Sequence, residues 1–170
     1  LKGVNMINNS LSPFNITTSG DTTILLDGEN ILKTNSISRA GLQKDGTDTG
    51  KLIIDKVSSD DTDVLTAKGG VYAAGIGGGD SSGNNIEIKG GTINATGGGR
   101  GAGIGCGYGE SVSNVIISGG IVNATGRVGG AGIGTGASDG SNPGKAEKIY
   151  ITGGTVVATA DSGGTGVDGA

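Results

Sequence analysis

Apolar and polar residues alternate along this chain in short runs, and glycine closes each run. The clearest runs are NIEIKGG (85–91), NVIISGG (114–120) and KIYITGG (148–154). Each is followed directly by a second alternating run: TINATG (92–97), IVNATG (121–126) and TVVATA (155–160). A period of two is the mark of a strand with one face buried. A third motif recurs between these pairs: AAGIGGG (73–79), GAGIGCG (101–107) and GAGIGTG (130–136). Its lone isoleucines, Ile76, Ile104 and Ile133, are 28 and 29 residues apart.

A fixed period of this length is the signature of a repeat architecture. The pattern continues outward in weaker form. AGLQ (40–43), KLIID (51–55) and DVLTAKG (63–69) resemble the three elements in order, and TTILLDGENIL (22–32) reads as another pair. GTGVDGA (164–170) reads as one more first element, displaced by the longer loop 136–147. Alternation assigns Ile86 and Ile88, Val115 and Ile117, and Ile149 and Ile151 to one inward side. It does the same for Ile93 and Ala95, Val122 and Ala124, and Val156 and Ala158. Stacked coils turn these into vertical ladders of like residues. The expectation is an all-β fold: a right-handed parallel β-helix (β-solenoid) with three short strands per coil and about five coils. It forms a single domain over 1–170, with divergent N-terminal coils in 1–69 and regular glycine-rich coils in 70–170. Gly90-Gly91, Gly119-Gly120 and Gly153-Gly154 are expected at one corner, where positive φ is needed. Asn85 and Asn114 are expected in the left-handed region, with their amides stacked between coils.

Composition fits this picture. Thirty-nine glycines would suggest disorder if they lacked a period. Four aromatic residues and many β-branched ones suit a narrow core. The net charge is −4. Acids and bases are mixed along the chain, which argues against a nucleic-acid surface. With no histidine and a single cysteine, the usual zinc and nucleophile–base sets are missing. Cys106 occupies the repeat position of Gly78 and Thr135, so a tolerated small residue is the reading preferred over a reactive thiol. No apolar run is long enough to span a membrane. The chain starts at Leu1, so it is expected to be a processed or excised piece of a longer one.

The glycine strings do not point to a ligand. GIGCGYG (103–109) lacks the following helix that a dinucleotide loop requires. Calcium-binding Gly-Asp repeats recur every nine residues, unlike this period. Asp60, Asp61 and Asp63 form a better cation candidate, set against the simpler reading of a solvated loop. The arginines Arg39, Arg100 and Arg127 show no fixed register, and no pair of carboxylates has a catalytic spacing. No cofactor is expected, and the chain is expected not to be an enzyme.

LLDGEN, AGLQ and the repeated A-G-I-G-x-G, I-x-I-x-G-G and T-x-N-A-T-G motifs together resemble a repeat region of Gram-positive surface and secreted proteins. These are of the "carbohydrate-binding domain-containing" β-helix type. The resemblance runs from about Leu25 to the end. It implies an extracellular or cell-surface, adhesin-like or polysaccharide-binding module whose partner is a polysaccharide or host glycan. Sugars are gripped by flat aromatics and polar groups. That singles out Tyr72 and Arg100, expected as vertical neighbours, together with Tyr108 and Tyr150. Tyr150 is expected to point outward in the column of Glu87 and Ile116, where it can equally mark a face packed by a neighbouring domain. The alternative function is a stalk displaying another domain. A weaker one is a lyase-like enzyme acting on polysaccharide.

Overall fold

The computed structural model describes residues 1–47, 49–59, 62–140 and 143–161, and the backbone of 166–167. The strands, in chain order, begin with β1 (Asn5–Asn8), β2 (Phe14–Ile16), β3 (Thr22–Leu26), β4 (Glu29–Thr34), β5 (Leu42–Lys44) and β6 (Leu52–Lys56). They continue with β7 (Val64–Lys68), β8 (Ile76–Gly77), β9 (Ile86–Ile88), β10 (Thr92–Thr96), β11 (Ile104–Gly105) and β12 (Val112–Ile117). The last are β13 (Ile121–Thr125), β14 (Ile133–Gly134), β15 (Ala146–Ile151), β16 (Thr155–Thr159) and β17 (Gly166–Val167).

Every third strand stacks on the one before it, giving three sheets. Sheet S1 takes the lone-isoleucine elements in the order β17-β14-β11-β8-β5-β2. Sheet S2 is β15-β12-β9-β6-β3, and sheet S3 is β1-β4-β7-β10-β13-β16. The chain is a parallel β-solenoid of about five turns. The register is the one the repeats predict: Ile76 pairs with Ile104 and Ile104 with Ile133, while Ile93, Val122 and Val156 form one column. Leu42 extends the isoleucine column and Phe14 begins it.

Parallel strands joined through the rest of the coil must bury their inward side chains against the other two sheets. The core is therefore a narrow column of Leu, Ile, Val and Ala, including Leu32, Leu52, Ile54, Leu65, Ile86 and Ile104 at 0% exposure. Each fully buried branched side chain contributes about 1.5–3 kcal/mol of transfer free energy. Cys106 packs in this column, and its Sγ–H donates to the Glu110 carbonyl at 2.9 Å. Burial pushes its thiol up to about 12, so it stays protonated and inert.

Glycine is required where coils touch backbone to backbone. Gly91, Gly120 and Gly154 have φ of +85°, +84° and +82° at the S2-to-S3 corner. At the S3-to-S1 corner a Cβ on Gly98 would lie 1.5 Å from the Gly70 carbonyl oxygen. Another left-handed column holds Asn85, Asn114 and Lys148, at φ 59°, 61° and 55°. Its amides ladder as expected: Asn114 Nδ2 donates to Asn85 Oδ1 at 2.8 Å. A second ladder runs on S3, where Asn123 Nδ2 donates to Asn94 Oδ1 at 3.0 Å.

Two details differ from the sequence pattern. Ile149 and Ile151 hold the inward register of Val115 and Ile117, yet Ile151 is 43% exposed. They lie on β15, the outermost strand of S2 among the described residues. The last first-element strand, β17, pairs with β14 in antiparallel fashion, Ile133 with Val167, where the other described pairs are parallel.

Candidate functional site

At the S3-to-S1 corner each coil makes a glycine-rich turn with outward side chains. Tyr72 lies in the turn after β7, which the Ala73 N–H closes by donating to the Gly70 carbonyl at 2.9 Å. Arg100 lies one coil further along, and its N–H donates to the Val71 carbonyl at 2.7 Å. Tyr72 and Arg100 are thus vertical neighbours, as their spacing from Ile76 and Ile104 predicts. Tyr108 reaches the same place from the turn after β11. Its N–H donates to the Tyr72 carbonyl at 2.9 Å. That approach needs glycine at 107, because a Cβ there would sit 2.3 Å from the Tyr72 carbonyl oxygen.

The side chains converge. The Tyr72 and Tyr108 ring centroids are 5.6 Å apart with a 50° tilt, and the Arg100 guanidinium carbon lies 5.2 Å from the Tyr108 ring centre. A cation over an aromatic face at an exposed site is worth about 0.5–1 kcal/mol, enough to bias both side chains toward one arrangement. The start of the long loop buttresses the corner: Ala137 N–H donates to the Arg100 carbonyl at 2.9 Å. Tyr72 remains 37% exposed.

Tyr150 is not part of this group. It lies on β15 of S2, registered against Ile116, which is in turn registered against Glu87. It is 52% exposed on that separate face. Glu87 in the same column is held by Lys51, whose Nζ donates to Oε2 at 2.8 Å, with Lys89 at 3.7 Å. The hydrogen bond from Lys51 keeps the Glu87 carboxyl below its ordinary range, and the same bond raises the Lys51 ammonium.

Of the cation candidates, Asp60 and Asp61 lie outside the described residues. Asp63 is engaged structurally. Its carboxylate accepts hydrogen bonds from the N–H groups of Gly28 at 2.7 Å, Val57 at 3.1 Å and Ser58 at 2.8 Å, and from Ser58 Oγ at 2.6 Å. These donors, the Ser58 hydroxyl foremost, lower its carboxyl to about 2. Asp63 takes the corner position that Gly28 and Gly91 hold in the neighbouring coils.

An open groove of about 280 Å³ lies beside the tyrosine pair. Gly97, Gly98 and Gly99 help to line it, with Val71, Val128, Lys68 and Arg127 around them. Sequence reasoning passed over this groove. The signal was the alignment of Val71, Gly99 and Val128 at one repeat position, which emerges once the corners are registered.

The model of the beta helix repeat family matches residues 63–80, 86–108 and 115–137. Each matched segment ends just past one of the lone isoleucines, in the turn that follows it. Over these segments the chain is similar to beta helix repeat proteins, in keeping with its parallel β-solenoid fold. The match lies on the most regular coils, which build the corner carrying Tyr72, Arg100 and Tyr108. No curated protein and no solved structure matches the chain.

Proposed function

We propose that this β-solenoid is a non-enzymatic, extracellular or cell-surface module that binds polysaccharide at the S3-to-S1 corner. One observation supports this reading above the rest. Two of the chain's three tyrosines and an arginine, far apart in type from the glycines around them, meet on one rigid, exposed corner. Aromatic faces accept the C–H face of a sugar ring, and a guanidinium supplies fixed donors for its hydroxyl or carboxyl oxygens. The backbone beneath is locked by inter-coil hydrogen bonds, so little ordering cost opposes binding. The turns 69–75 and 97–109 contain no aspartate or glutamate, so the corner offers a grip without an acid–base pair.

The test is retention on immobilised polysaccharides, neutral and acidic, compared across variants. Tyr72→Ala with Tyr108→Ala should abolish retention, and Tyr150→Ala should leave it intact. Retention that survives the double variant would move binding off this corner. Failure of the unaltered chain on every matrix would remove the binding reading and leave the spacer role.

A further inference from the structure

Charges that are mixed along the sequence are sorted in space. All three arginines of the chain, Arg39, Arg100 and Arg127, lie at the S3-to-S1 edge, as do Lys33 and Lys68 at the ends of β4 and β7. Lys33 and Lys68 occupy one column on adjacent coils. The segments that cross this edge, 30–44, 64–79, 92–109 and 121–138, contain no aspartate or glutamate. The acids lie elsewhere: Asp45, Asp80 and Glu110 in the S1-to-S2 turns, Asp55 and Glu87 on S2. Asp161, beyond β16, shares a cleft with Arg127 at the end of the edge.

Pairing follows the same division. Lys2, Lys51 and Lys89 are held by Asp27 and Glu87 at 3.0, 2.8 and 3.7 Å. Among the described residues Lys33, Lys68, Arg39 and Arg127 have no such carboxylate partner. An edge of unneutralised cations on an acidic chain concentrates positive potential where the groove is.

The groove has a shape to match. Val71 and Val128 stand two coils apart, about 10 Å at the spacing of stacked strands. The coil between them offers Gly97, Gly98 and Gly99, with no side chain to fill the gap. Lys68 and Arg127 border the groove, and Thr34 and Asn35 close its far side.

We propose that this groove binds a carboxylated polysaccharide. A sugar ring sits in the glycine notch between Val71 and Val128, its carboxylates pair with Lys68 and Arg127, and the polymer runs on to Arg100 and the tyrosine pair. The inference rests on the polysaccharide-binding reading and specifies its charge. A polyuronate fits better than a nucleic acid. The cations are few and the molecule as a whole is negative.

The experiment is a set of binding isotherms with alginate, neutral laminarin and single-stranded DNA, at low and high salt. Alginate should bind best, and more weakly as salt screens the pairs. Lys68→Glu with Arg127→Glu should weaken it by about tenfold or more. Both residues are exposed, and circular dichroism checks that the variant folds. Lys145→Glu, a charge reversal of the same sign on the exposed residue just before β15, should leave alginate binding unchanged. Preference for laminarin would overturn the carboxylate inference while leaving polysaccharide binding standing. DNA binding equal to alginate binding would overturn it as unselective attraction to polyanions, as would an equal loss in Lys145→Glu. No binding to any probe would overturn both readings.

Discussion

At the residue scale, Asp63 shows how a single side chain closes a corner. Other coils turn from S2 to S3 through glycine, whereas here a carboxylate gathers the N–H groups of Gly28, Val57 and Ser58 together with the Ser58 hydroxyl. Its carboxyl is lowered from 3.8 to about 2, so the folded state favours the charged form. That stabilisation is fully present above the unfolded value and is lost as pH falls through the folded one. Thermal melting between about pH 5 and pH 1.5 should therefore show a steep acid limb below pH 4 that Asp63→Asn flattens. An unchanged limb in the variant would assign the acid sensitivity to other carboxylates. Three acids within four positions offered a cation candidate beside the simpler reading of a solvated loop; sequence proximity could not show that Asp63 is engaged by backbone donors. Tyr72 and Arg100 were legible as neighbours because both are counted back from a repeat isoleucine. The approach of Tyr108 was not, since it depends on Gly107 bringing a different turn against the Tyr72 carbonyl.

At the scale of the element, the corners decide whether coils can stack. Gly98 and Gly99 are adjacent, yet they face different constraints. A Cβ on Gly98 meets the Gly70 carbonyl oxygen at 1.5 Å, whereas one on Gly99 meets the Val71 oxygen and Cγ1 at 3.3 and 3.4 Å. Gly98→Ala has no way to fit without separating two coils, and should lower the urea midpoint sharply or prevent folding. Gly99→Ala needs a shift of only a few tenths of an ångström and should stay close to the unaltered protein. Equal effects of the two substitutions would contradict the backbone-on-backbone packing described here. The strands themselves were the most readable part of the sequence. Alternation set the inward faces of β9, β10, β12 and β13, and the repeat set their register. The ends were less readable: alternation marks Ile151 as inward, but only a covering coil would bury it, and nothing local in GTGV (164–167) dictates that β17 runs antiparallel.

For the whole molecule, the main result is the sorting of chemistry onto faces. Three sheets give three edges, and one of them gathers the tyrosine pair, the arginines and the glycine groove. Linear charge patterning hides this, because each coil passes every face in turn and so interleaves acids with bases. The polysaccharide-binding reading places ligand contact at that edge on Tyr72 and Tyr108. The chain has no tryptophan and only three tyrosines, so in Tyr150→Phe all tyrosine emission comes from the corner pair. Titrating that variant with a polysaccharide retained by the protein should change its tyrosine fluorescence along the same isotherm as binding. Binding with no change in that emission would contradict the account.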